Sequence, residues 1–277
     1  MEIGKQYLRL LGEMPRLRAE VVPDVHVSAD AYHHGYAARD WLSSEKTVSA
    51  RIDAGHALFP MPDVEGSTRF QAQLWWWSMC GSIVNPSVAS ILACESAPRL
   101  DWGTWTVFER DAYWLGFAGS EFMEMAPDSG DKVIEYGASI ARFLAPVAEI
   151  VGDVGGLKDA PLWAVAADAV AGAAVAAGNE LMMPWAGAAV GDLLVEGMAT
   201  EYRVPSPRFV DVSEDEVVLT DMEAAKSGED APFNVVTHLM RATCCMIYHS
   251  PDADLCSSCP KRKREERELE WQQNLLL

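Results

Sequence analysis

Cys244, Cys245, Cys256 and Cys259 fall within the stretch CCMIYHSPDADLCSSCP near the C-terminus, and only Cys80 and Cys94 lie elsewhere in the chain. Thiols crowded in this way can converge on one metal centre or form a redox pair. Structural zinc commonly uses two Cys-x2–4-Cys turns that grip one ion from two sides. Only Cys256 and Cys259 have that form. Cys244 and Cys245 are adjacent and point apart, so chelating one tetrahedral ion with both is strained. A [2Fe–2S] cluster spreads its four thiolate positions over two metals and relieves that strain. The spacing favours the two-iron cluster and leaves zinc and a regulatory dithiol open.

The rest of the chain must position these thiols. Its 277 residues are 49% hydrophobic, enough for an apolar core that does not depend on disulfides. The opening MEIGKQYLRLLGEMPRLRAE carries charges every few residues and reads as an amphipathic helix, not a signal peptide. The longest apolar run, Leu162 to Gly178, is alanine-rich and broken by Asp168, which predicts a buried helix and no transmembrane segment. A cytoplasmic location follows as the expectation, since thiols stay reduced there. The net charge of −19 disfavours nucleic acid and anionic lipid. No nucleophile elbow, phosphate loop or dinucleotide fingerprint is present.

Hydrophobic periodicity predicts a predominantly helical α+β protein with an aromatic β-hairpin and a C-terminal cysteine segment. Residues 1–65 form a mixed region with a helix near Ile3 to Leu17; His33 and His34 there read as polar surface. Residues 66–205 form the helical core. A helix from Ser67 carries Trp75, Trp76 and Trp77, which cannot all share one face because neighbours lie about 100° apart. Pro86 is expected to start a second short helix, and Cys80 and Cys94 read as buried apolar residues. Trp105 to Phe117 alternates as a hairpin, and Val133, Ile134, Ile140, Ala141, Leu144 and Val147 form one helical stripe. Residues 206–231 read as an acidic connector with a strand at Val217 to Thr220. Residues 232–277 begin with an expected helix, Pro232 to Ala242, and end in a tail helix.

The pattern Cys-Cys-x10-Cys-x2-Cys, with Arg241 before it, Tyr248 inside it and Pro260 after it, resembles the signature of the siderophore-iron reductases of the ferric iron reductase FhuF family. PLWAVAADAVAGA, from Pro161 to Ala173, resembles that family's leucine–tryptophan helix. Residues 1 to 150 carry no such likeness, and Ile247 and His249 depart from the usual pattern. The resemblance implies a [2Fe–2S] cluster on Cys244, Cys245, Cys256 and Cys259, and one-electron reduction of a ferric siderophore. Tyr248 or backbone amides of the ten-residue loop would tune the cluster, and Arg241 would offset its charge.

The substrate is expected where the cysteine loop meets the Trp-rich helix, with Trp75, Trp76, Trp77, Arg241 and Tyr248 as candidate contacts. Lys261, Arg262, Lys263 and Arg264 admit two readings. They open a terminal helix whose acids pair with them at helical spacing, or they dock an acidic electron donor such as a ferredoxin or a reductase. The tail with Trp271 is expected to pack on the domain, and a contact with a partner or membrane face stays open. A non-catalytic [2Fe–2S] electron carrier or sensor, and a zinc-stapled module, are the alternatives.

Overall fold

A computed structural model of the chain describes residues 5–22, 36–37, 42–61, 66–110 and 113–275. The expected N-terminal helix is α1 (Lys5–Glu13), followed by a 3-10 turn over Pro15–Leu17 and the single turn α2 (Arg18–Val21). Pro15 cannot supply the amide that would continue α1, so the helix stops before it. Strand β1 (Tyr36–Ala37) and helix α3 (Glu45–Leu58) follow, the latter capped by Ser44, which accepts the Thr47 N–H. His33 and His34 lie outside the described residues.

Helix α4 (Ser67–Cys94) runs through Pro86 without a break, where a second helix had been expected to begin. A proline inside a helix costs about 3 kcal/mol. Burial of α4 on nearly every side outweighs that cost, because Ile83, Val84, Val88 and Ile91 are all in the core on either side of Pro86. Trp75 and Trp76 are also fully buried, and only Trp77 reaches the surface, 36% exposed. Cys80 and Cys94 are buried, as expected.

Two short sheets follow. Strands β2 (Ser96–Pro98) and β5 (Phe122–Glu124) pair antiparallel. The aromatic hairpin is β3 (Trp105–Glu109) and β4 (Leu115–Gly119), in register with Val107 opposite Phe117, and β1 extends it along β3.

Helices α5 (Gly130–Gly155), α6 (Asp159–Glu180) and α7 (Pro184–Glu201) complete the central bundle with α4. Of the predicted stripe of α5, Val133, Ile140, Ala141, Leu144 and Val147 are buried and Ile134 is half-buried. α4 and α6 are each long and apolar enough to cross a membrane, and both spend that length inside the bundle, 78% and 67% buried. α5 and α7 meet backbone to backbone. A Cβ on Gly197 would lie 1.9 Å from the Ile134 carbonyl oxygen, and one on Gly137 would lie 2.0 Å from that of Leu194. Neither carbonyl can yield without moving its helix. Gly197→Ala is therefore expected to lower stability by about 3 kcal/mol, read from the midpoint of chemical unfolding.

The chain after α7 departs most from expectation. Within the residues read as a connector, β7 (Val217–Leu219) is the strand expected at Val217 to Thr220, while β6 (Phe209–Val212) and helix α8 (Met222–Ser227) are additions; with β8 (Val236–Leu239) the strands form the antiparallel sheet β7–β6–β8. The helix expected over Pro232 to Ala242 is strand β8 instead. Thr237 and Leu239 turn inward while Val236 and His238 are less buried, a period of two. A buried carboxylate draws the strands together: Asp211 accepts hydrogen bonds from Trp185 Nε1, Thr220 Oγ1 and Thr237 Oγ1 at 2.8, 2.8 and 2.7 Å. Helix α9 (Arg264–Leu275) closes the chain by laying Trp271 on Val210 and Val212, with His238 stacked on its ring at 4.8 Å. Burial pushes His238 down to about 4, so it stays neutral against the indole at physiological pH.

Candidate metal centre

Strand β8 delivers the chain to Arg241, and the next two residues are tied to α6. Asp168 accepts the Ala242 and Thr243 amides at 3.1 and 2.7 Å, and the Thr243 hydroxyl at 2.5 Å. Asp168 is 7% exposed in a helix of alanine and valine. Burial pushes its carboxyl up, while the Thr243 and Ala242 bonds and the Arg241 charge pull the other way. Helix α4 holds the following turn. Gln73 Nε2 donates to the Cys244 carbonyl at 2.8 Å, and Phe70 stacks on His249 at 3.8 Å with the planes 5° apart. The far end of the loop is held by Arg262, whose Nε donates to the Cys256 carbonyl at 3.0 Å and whose Nη1 pairs with Glu270 of α9 at 3.2 Å.

These anchors bring the four thiols together. Cys244, Cys245 and Cys259 are buried and Cys256 is half-buried. Cys244 Sγ and Cys259 Sγ are 3.9 Å apart. Two thiolates about 2.3 Å from one tetrahedral ion would lie about 3.8 Å from each other. The Cys245 thiol, followed by burial, pushes the Cys256 thiol up. Met246 adopts a left-handed backbone, φ 69°, and its N–H turns back to Cys244 Sγ at 3.4 Å. The hydrogen bond from Cys245 is the largest influence lowering the Cys244 thiol. Arg241 Nη1 points to Cys256 Sγ at 3.6 Å.

Among the described residues no His, Cys, Asp or Glu side chains gather in a group of three or more around one ion. Cys244 Sγ lies 3.9 Å from Cys259 Sγ, the Cys245 thiol acts on both Cys244 and Cys256, and all six cysteines are free of disulfides. Four neighbouring thiols, with the Met246 amide aimed at Cys244 Sγ and the Arg241 guanidinium at Cys256 Sγ, suit a two-iron, two-sulfide centre.

A cavity of about 580 Å3 opens beside this segment, within the usual range for small-ligand sites. One face of α4 (Trp77, Ser78, Gly81, Ser82, Asn85) and one of α6 (Asp168, Ala169, Gly172, Ala176, Asn179) form its sides, and their small residues leave the space. Arg241 and Ser258 bring the cysteine segment to its wall, and Glu20, Arg110 and Trp114 close the other parts. Burial raises the Glu20 carboxyl to about 7 against the Asn85 hydrogen bond and the Arg110 and Arg16 charges.

The structure joins some candidate residues and separates others. Trp77 and Arg241 share the cavity, with the guanidinium carbon 5.5 Å from the centre of the indole. Trp75 and Trp76 do not line it: both are core residues, and Trp76 Nε1 donates to the Leu162 carbonyl at 2.8 Å. Tyr248 lies against His249, outside the cavity lining. Arg262 is turned inward as a strut, so it leaves the expected basic patch. Lys261, Lys263 and Arg264 are exposed, and the last two pair with Glu266 and Glu268 at 4.0 and 2.6 Å along the terminal helix. Asp168, Gln73 and Phe70 were not anticipated as supports. Asp168 alone left a mark in the sequence, as the single acid interrupting an apolar helix.

Residues 241–261 match the family model of the FhuF 2Fe-2S C-terminal domain. The match supports an FhuF-like family over that short stretch, which holds all four clustered cysteines, and its cofactor is a [2Fe–2S] cluster. No curated protein and no solved structure matches the chain.

Proposed function

We propose that this protein reduces a ferric siderophore by one electron and so releases iron from it. One observation carries the reading: the cysteine segment reaches the wall of a cavity of about 580 Å3 through Arg241 and Ser258, and Arg241 points from that wall to Cys256 Sγ. In this reading Cys244, Cys245, Cys256 and Cys259 hold the cluster, which supplies single electrons when bound. The protein's own part is placement. Asp168, Gln73, Phe70 and Arg262 fix the cysteine segment against α4 and α6, while Trp77 and the small residues of the cavity admit the chelate next to it. Hard hydroxamate or catecholate oxygens hold Fe3+ tightly and Fe2+ weakly, so a single electron is enough to loosen the chelate. No acid, base or nucleophile is needed.

The protein works in the cytoplasm in this reading, where its free thiols stay reduced. Lys261, exposed just past Cys259 and followed by Lys263 and Arg264, which share their charge with Glu266 and Glu268, is the cation offered to an acidic ferredoxin or reductase on an otherwise acidic chain. The test is anaerobic purification followed by iron and sulfide analysis and a single-turnover reaction. About two irons and two sulfides per chain are expected, with visible thiolate-to-iron absorption. Adding a ferric siderophore to the reduced protein should restore the oxidised spectrum while a ferrous trap develops colour. A coloured protein that stays reduced would be an electron carrier or sensor instead, and a colourless zinc protein would reject the proposal.

A further inference from the structure

Arg241 occupies a boundary. One nitrogen, Nη1, points to Cys256 Sγ at 3.6 Å, and the same side chain lines the cavity under Trp77. The side chain is 9% exposed, and its Nε and Nη2 atoms are buried without a hydrogen bond. The nearest acid, Asp168, is 3.9 Å from Nε, and its two oxygens are already taken by Ala242 and Thr243. A buried guanidinium whose charge is only partly compensated acts strongly on neighbours on both sides, because little water screens it. On one side is a thiol of the metal centre, on the other whatever fills the cavity.

We propose that Arg241 couples the two: an anionic chelate in the cavity draws on the guanidinium charge and makes the cysteine-bound centre a stronger reductant only while substrate is present. This rests on the function proposed above and adds its regulation. The sign follows from charge. Reduction adds an electron beside Cys256, which Arg241 favours and a bound anion opposes. An anionic chelate therefore lowers the midpoint potential when it binds. By linkage the oxidised protein binds that chelate more tightly than the reduced protein, by the same factor. Idle protein then holds its electron at a higher potential, and loses it less readily to oxygen or stray acceptors. Arg241 acts through the sulfur and the chelate without exchanging electrons or protons itself, which makes it a positioning residue.

Gallium(III) chelates test this, since they match ferric chelates in charge but cannot be reduced. The midpoint potential of the holoprotein is measured by spectroscopic titration alone, with an anionic gallium carboxylate chelate, and with a neutral gallium hydroxamate. Binding of each to oxidised and reduced protein is followed by the fluorescence of the cavity tryptophans. The anionic chelate is expected to bind the oxidised form about tenfold more tightly, equivalent to a fall of about 59 mV in a one-electron potential. The neutral one should give a much smaller shift. Arg241→Gln should remove the difference between the chelates, while Arg241→Lys should keep part of it. Equal shifts from the two chelates in the wild-type protein would overturn the proposal without any variant. So would an Arg241→Gln protein that keeps its cluster and the full shift. If gallium chelates bind without changing the potential, the coupling fails while the reductase reading stands. If neither chelate binds and the reduced protein ignores ferric chelates, the reductase reading itself fails.

Discussion

Cys245→Ala is expected to purify colourless, with iron affinity lowered by far more than 100-fold. Loss of residues that merely orient metal ligands already costs about 10–100-fold, and removing one of four thiolates takes away a bond to the metal. The same result is expected at Cys244, Cys256 and Cys259. Cys80→Ala and Cys94→Ala supply the contrast. Cys80 lies in the core of α4, where burial pushes its thiol well up, and Cys94 is buried at the end of that helix. Both act as small apolar side chains, so their variants should keep full iron content and visible absorption. Helical content should survive in every case, because the main apolar core includes none of the four clustered cysteines. Iron analysis beside circular dichroism checks the prediction. A Cys245→Ala protein that retains its iron would remove Cys245 from the ligand set.

The same contrast shows which parts of the molecule could be read in the sequence. The cysteine segment was legible because its chemistry depends on local spacing. The α5 stripe and the β3–β4 hairpin were legible because period 3.6 and period 2 are local as well. Pro86 misled because proline is a strong local breaker, and its cost is met by burial of α4 that no window of sequence reveals. β8 misled in the same way: apolar residues from Val235 to Met240 suit a helix or a strand, and the choice was made by Asp211 reaching Thr237 from 26 residues away. The cavity could not be read at all. Its walls come from α2, α4, the β3–β4 turn, α6, β8 and the cysteine segment, and it exists where side chains are small. Three consecutive tryptophans invited a binding-site reading, yet helical geometry sends Trp75 and Trp76 into the core and only Trp77 to the cavity.

Asp168→Ala is expected to cost about 3–5 kcal/mol of stability and to loosen the metal centre as well. The carboxylate receives two amides and one hydroxyl from Ala242 and Thr243, and faces Arg241 at 3.9 Å, all in a buried setting. Alanine would leave those donors without an acceptor, and each unsatisfied buried group costs about 1–3 kcal/mol. It would also leave Arg241 buried with no acid opposite it. Asp168→Asn is nearly isosteric, but its amide nitrogen is a donor where a second acceptor is required, so most of the loss should remain. That pattern separates an electrostatic role from simple space filling, under which Asn would restore wild-type stability. Because the lost bonds anchor the residues just before Cys244, the effect should extend beyond the unfolding midpoint. Iron release to a chelator should be faster in both Asp168 variants under conditions where each is still fully folded, whereas Gly197→Ala, which strains the distant α5–α7 contact, should destabilise the fold and leave that rate near the wild-type value. Iron release at the wild-type rate from folded Asp168→Ala would show that the acid supports the bundle alone and does not hold the cysteine segment.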